Sequence, residues 1–187
     1  WGDDSAKSTK SLRSVSILKL RKILENIDRV EVLFNANKYS IAFSNDIYCD
    51  YVVCLQLLKN KIKDKGEFEQ FYAIISKGEI FKGESFNWLD DYKTYICNKI
   101  VDILSRYIGQ YSIEKDSDMI IQIADHILLN DPSNEEALIY KIKTLIYQNN
   151  PKSARYAYDR FCSLFLEMYG ESYPKVFEAI VEEKLKI

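Results

Sequence analysis

The chain has 187 residues, 47% hydrophobic and 29% charged, with a net charge of -2. This is the composition of one core-forming domain or two small ones, neither disordered nor membrane-spanning. Six glycines and three prolines are too few for collagen, linkers or a turn-rich all-β fold, and the near-zero net charge means that any hold on nucleic acid must come from a local patch.

Residues 5–27 read as a helix. At about 100° per residue, Leu12, Ile17, Leu20, Ile23, Leu24 and Ile27 fall within about 140° of one another and form a core-facing stripe. Lys7, Ser11, Ser14, Lys19 and Lys22 lie opposite, with Lys10 and Arg21 near the border. Val15 and Leu18 interrupt the polar side, and Asp28 and Arg29 end the helix. The β-branched and aromatic segments 30–34 and 39–43 flank Asn35-Ala36-Asn37-Lys38, which predicts a hairpin around a turn that tolerates positive φ. Ser44-Asn45-Asp46 then punctuates the chain, and the domain boundary is placed there, giving segments 1–46 and 47–187.

Beyond that point every element reads as helix. The spans are 47–60, 67–76, 87–109, 117–129, 134–148, 153–169 and 174–185. Ser133 with Glu136 suits a capping box. Asn149-Asn150-Pro151 ends one helix and opens the next, Gly170 fits a C-terminal cap, and Pro174 fits a first helical turn. Acidic pairs Asp90-Asp91 and Glu135-Glu136 fall in first turns, where the helix dipole favours carboxylates.

The chemistry-bearing residues are sparse. Cys49, Cys54, Cys97 and Cys162 form no CxxC and read as reduced thiols. The single histidine, His126, has no clustered partner and reads as a surface or capping residue. No glycine-rich phosphate loop occurs. No catalytic, cofactor or metal site is therefore predicted, and the chain reads as no enzyme. No apolar run approaches the ~20 residues of a spanning helix, and Trp1-Gly2-Asp3-Asp4 does not read as a signal peptide. A cytoplasmic protein without membrane contact is expected.

Repeats organise the second segment. With Pro132 as the last position of a tetratricopeptide pattern of about 34 residues, Ile120, Ala124 and Ile127 occupy its small-or-apolar helix positions. One repeat later come Ala154, Tyr158 and Phe161. Stacked helix–turn–helix units would bury these faces on one another, although any antiparallel helical bundle gives similar spacing. Tyr92, Tyr95, Tyr107, Tyr140, Tyr147, Tyr156, Tyr158 and Tyr169 sit on the helices; they read as interhelix packing or as a peptide-binding concave face.

Three segments carry a family resemblance. Leu12-Arg13 followed by residues 17–24 (ILKLRKIL) resembles the recognition helix of response-regulator-type winged-helix proteins, with the hairpin as its wing. Residues 78–83 (GEIFKG) with 88–93 (WLDDYK) resemble a segment of bacterial transcriptional activation domains. Residues 124–132 (ADHILLNDP), 134–137 (NEEA), Ala154, Tyr158 and 166–170 (LEMYG) resemble the later pattern of that domain. In order and spacing the chain is similar to SARP-type bacterial transcriptional activators. The resemblance implies a mainly α fold: a truncated winged helix, consisting of recognition helix and wing, over 1–46, and a tetratricopeptide-like activation domain over 47–187. It also implies that the chain is the C-terminal part of a longer regulator, with Trp1 closing a preceding helix. The first ~15 residues are then expected to be loosely held or repacked on another surface, since a lone amphipathic helix of that size is marginal.

The same resemblance implies double-stranded DNA as partner of the intact protein. Lys10, Ser11, Ser14, Lys19, Arg21 and Lys22 would lie along the major groove, with cations on phosphates and short polar side chains at base edges. Lys38, with Asn35 and Asn37, would form a wing tip on a minor groove. On charge alone a solvated helix face is the better reading of these residues, and it is the resemblance that turns the reading to DNA. Residues 1–46 hold eight Lys and Arg (7, 10, 13, 19, 21, 22, 29, 38) against six Asp and Glu (3, 4, 25, 28, 31, 46), an excess of +2. The helical domain would serve a homodimer or contact with the transcription machinery. The alternative is a tetratricopeptide-like protein-interaction scaffold that binds no DNA.

Overall fold

The structure is a computed structural model describing residues 6–44, 46–79, 81–83 and 86–182. Trp1, Ser5 and the end of the predicted 174–185 helix lie outside the described residues. Those described are mainly helical, with one two-stranded antiparallel sheet. The chain divides into two compact units, Trp1–Val53 and Cys54–Ile187. The division falls seven residues beyond the Asp46 boundary, inside a helix whose later residues Cys54, Leu55, Leu57 and Leu58 join the interior of the second unit.

The first unit contains α1 (Ala6–Leu24), β1 (Val30–Asn35) and β2 (Lys38–Phe43). α1 stops at Leu24, three residues short of the predicted Ile27, because Asn26, Ile27 and Asp28 are weak helix formers; Arg29 at φ 65 then swings the chain into β1. The strands pair from Val30 with Phe43 to Asn35 with Lys38. That register leaves a two-residue loop, Ala36-Asn37, with φ of 49 and 61. Positive φ at both positions is the signature of a type I′ turn, whose twist matches that of the strands. α1 packs on β1.

The second unit runs through α2 (Asp50–Lys59), which begins in the first unit, and then α3 (Lys65–Ile75), α4 (Asn87–Ile108), α5 (Ile113–Asn130), α6 (Glu135–Tyr147), α7 (Pro151–Tyr169) and α8 (Phe177–Glu182). Two apolar clusters hold it. In one, Phe68, Phe71, Ile96, Leu104 and Ile108 meet Ile120, Ile123 and Ile127 of α5. In the other, Leu138 and Ile142 of α6 meet Ala154 and Phe161 of α7 and Ile180 of α8. α5 and α6 serve both: Ile120 and Ala137 face the first cluster, Ile121 and Leu138 the second. A helix apolar on two sides must be sandwiched, and this sandwiching joins successive helices into a stack. Of the six residues matched to the repeat, Ile120, Ala124, Ile127, Ala154 and Phe161 are buried, and Tyr158 is half-buried with its hydroxyl donating to the Lys175 carbonyl at 2.8 Å.

Local punctuation explains the joints. Asn150 caps α7 by accepting from the Ser153 amide at 3.2 Å, Pro151 occupies the first turn, and Gly170 closes the helix at φ 73. Two expected caps are corrected. Ser133 does not cap α6, because its hydroxyl and amide both donate to Asp131 Oδ1, at 2.9 and 3.2 Å; Asn134 accepts from the Ala137 amide at 3.0 Å instead. Pro174 precedes α8 rather than opening it. Tyr173, packed on Phe161 with ring centroids 5.0 Å apart, holds that stretch irregular until Phe177. α5 starts at Ile113 rather than residue 117, but Asp116 breaks its helical geometry, so the regular part begins where the sequence placed it. The four cysteines are free thiols.

Candidate functional site

α1 and the hairpin carry all the residues expected to meet DNA. Ile17, Leu20 and Leu24 fall within about 60° of one another around the helix; they are half-buried, while Leu12, Ile23 and Ile27 of the same stripe are exposed. Only part of the stripe is thus covered. Lys10, Ser11, Ser14, Lys19, Arg21 and Lys22 are all exposed and spread over about 180° on the other side. Lys10, Ser14 and Arg21 share one edge of that arc within about 40°, Ser11 and Lys22 lie near its middle, and Lys19 lies at its far edge.

Two of these residues are engaged. The Ser14 hydroxyl donates to the Lys10 carbonyl at 3.0 Å, a back-bond that occupies its only proton. Arg21 Nη2 donates to the Val32 carbonyl at 3.4 Å, so this side chain ties α1 to β1. Arg29 pairs with Asp46, which also accepts from the Ser44 hydroxyl. That hydroxyl bond, with a backbone amide and the Arg29 guanidinium, holds the Asp46 carboxyl below its ordinary range. Arg29 therefore adds nothing to an outward field. Lys10, Arg13, Lys19, Lys22 and Lys38 remain as exposed cations without an ion-pair partner among the described residues. Lys38 stands beside the turn, opposite Asn35, at the end of the hairpin away from the Arg29–Asp46 clasp.

No family model, no curated protein and no solved structure matches the chain. Geometry and chemistry alone must carry the functional reading.

The sequence did not reveal a cleft in the second unit, walled by α3, α5, α6 and α7 and about 550 Å³ in volume. Tyr72, Asp125, His126, Lys141, Tyr156 and Arg160 contribute to its walls. His126 is corrected from a surface or capping residue to a half-buried cleft residue. Its ring stands edge-on to Tyr72 with centroids 6.1 Å apart, and burial pushes its pKa down. Burial likewise pushes the Tyr72 phenol up, with Asp125 adding to the shift. Lys141 pairs with Asp125 at 2.5 Å. The sequence carried one faint signal: Gln122, His126 and Leu129 on α5, and Tyr156 with Arg160 on α7, recur at one-turn spacing. Of the helix tyrosines, Tyr140 is buried, Tyr92, Tyr107 and Tyr158 are half-buried, and Tyr95, Tyr147, Tyr156 and Tyr169 are exposed. Among the described residues no group of three metal-ligating side chains is placed to hold an ion, and no helix is long and apolar enough to cross a membrane.

Proposed function

We propose that the chain is part of a DNA-binding transcriptional regulator of the SARP type, with a truncated winged helix leading into a tetratricopeptide-like helical unit. The observation that carries this reading is the pairing of α1, exposed and cationic on its outer arc, with a hairpin that it packs against and that ends in Lys38. A helix presenting Lys and short polar side chains enters a major groove, and a cation-tipped hairpin follows the adjacent backbone. Leu12, Ile23 and Ile27 stand exposed, an apolar edge of the kind by which a recognition helix packs on neighbouring helices. The doubly buried α5 and α6 support tetratricopeptide-like stacking. The helical unit then acts as a rigid platform for self-association or protein contact, and no catalytic chemistry is assigned to it.

The second reading, an interaction scaffold that binds no DNA, is favoured by the engagement of Arg21 and Arg29, which lowers the free charge of the first unit. A salt titration of duplex binding by the intact protein separates the two. Each phosphate contact contributes roughly 0.9 to the slope of log K against log salt. For the regulator, Lys19→Ala and Lys22→Ala each lower the slope by about 1, whereas Arg21→Ala weakens binding chiefly by loosening α1 from β1. Flat or absent duplex binding removes the regulator reading.

A further inference from the structure

The cleft of the second unit continues beyond its larger part. A neighbouring depression of about 370 Å³ shares Ser76, His126 and Leu129 with it, so the two form one elongated groove. The larger part alone lies within the roughly 300–1,000 Å³ that ordered ligands fill. Its apolar surface includes Leu129 and Tyr156, which are 59% and 69% exposed. These two side chains offer a bound chain apolar contact along the groove.

The charges say by what. The groove holds Lys141 and Arg160 with Asp125 in its larger part, and Lys82 and Lys93 with Glu79 in its smaller part. Four cations against two carboxylates give +2. His126 contributes no charge near neutrality because burial favours its neutral form. The surrounding sequence has the opposite sign: residues 54–187 hold 18 Lys and Arg against 21 Asp and Glu, a net of -3. Arg160 and Lys82 have no ion-pair partner among the described residues. A polyphosphate backbone would meet the cations but has nothing apolar to set against the exposed Leu129 and Tyr156. A chain of alternating acidic and apolar side chains meets both the cations and the open Leu129–Tyr156 surface, and the exposed Gln122 amide offers donors and an acceptor to its backbone.

We propose that this groove binds an extended acidic peptide segment of a partner protein, with its carboxylates against Arg160 and Lys82 and its apolar side chains over Leu129 and Tyr156. The proposal rests on the protein-contact half of the function given above and is independent of DNA binding. Fluorescence anisotropy of the full chain with a labelled octapeptide of alternating glutamate and leucine tests it, beside the matching lysine–leucine peptide. The acidic peptide binds, and the basic one binds at least about tenfold more weakly. Arg160→Glu and Leu129→Asp each weaken acidic-peptide binding by about tenfold or more, while Ile23→Asp on α1 leaves it unchanged. All three positions are exposed, and circular dichroism with thermal unfolding verifies each variant; Arg160→Gln replaces the reversal if that variant misfolds. Equal binding of the two peptides, no acidic-peptide binding at millimolar concentration, or indifference to Arg160→Gln overturns the proposal. So does stronger competition by a single-stranded oligonucleotide, or by N-acetyl-glutamate alone. Failure of the duplex titration with success here removes the DNA reading and leaves the groove assignment standing; the reverse removes only the groove.

Discussion

Every buried apolar side chain among the described residues lies at Cys54 or later, whereas ten large apolar side chains between Leu12 and Tyr48 stand exposed. The helical unit is held from within, by Phe68, Ile96, Leu104, Ile123 and Ile142 packed away from water on all sides. The α1–hairpin unit is held by local devices: one half-covered helix face, a tight turn, and the clasp of Arg29, Ser44 and Asp46. Interior packing resists opening with the stability of the whole unit, while local devices each resist only with their own small energy. The two regions should therefore respond to substitution on different scales.

The largest expected effect lies in the helical unit. Phe68 is fully buried and stacks on Tyr107 with ring centroids 4.3 Å apart and planes 8° from parallel. Phe68→Ala removes that stack and leaves a cavity, costing about 3–5 kcal/mol. Ile23, 65% exposed, is the matched case in α1: Ile23→Ala changes stability by less than about 0.5 kcal/mol, since alanine also favours the helix. Urea unfolding followed by far-ultraviolet circular dichroism measures both. Comparable losses would show that α1 has an interior that its exposure does not reveal.

The same contrast governs what could be read in the sequence. Helix positions were legible because Ile96, Ile100, Ile103 and Leu104 repeat at the helical period, and because Asn150-Pro151 and Gly170 act within a few residues of themselves. The hairpin was legible for the same reason. The α6 cap was misplaced by one residue because a third party, Asp131, occupies Ser133. The boundary moved into α2 because Cys54 and Leu55 belong to an interior assembled from distant helices. The groove was illegible because Tyr72, His126 and Arg160 come from three helices and converge only on folding. Arg21 was counted as a free cation because nothing in the spacing links it to Val32.

A middle-sized effect sharpens the description of the first unit. Ala36 holds φ 49 at the first loop position of the turn, where its Cβ is crowded and asparagine or glycine is favoured. Ala36→Asn keeps the Cβ but offsets its strain by local hydrogen bonding of the short polar side chain, without the extra unfolded-state freedom that glycine brings, and stabilises the hairpin by about 0.5 kcal/mol. Amide exchange of Leu33 and Ser40, a hydrogen-bonded pair counted from Asn35 and Lys38 at the turn, slows accordingly, while exchange at Ile123 in α5 does not change. Unaltered exchange at Leu33 would mean that the turn does not limit hairpin opening, and that the clasp at the other end does.

That clasp gives the smallest effect and the one with a pH signature. Asp46 is held below its ordinary range of 3.8 chiefly by the Ser44 hydroxyl, with a backbone amide and Arg29 adding to it. A carboxyl lowered on folding stabilises the folded form at pH values above its unfolded pKa, and the contribution disappears as pH falls through the lower folded value. Neutral solution thus retains the clasp in full, and it weakens only below about pH 4. The carboxylate is exposed to water and screened, so the change is confined to the hairpin base and leaves the helical unit in place. The amide signals of Ser44 and Val30 should therefore shift with a midpoint below that of a free aspartate. Asp46→Asn abolishes that step, and Ser44→Ala moves it upward because the leading stabiliser of the ionised form is gone. A midpoint unmoved by Ser44→Ala would transfer the dominant role to the backbone amide and Arg29, and with it the choice of which contact closes the base of the hairpin.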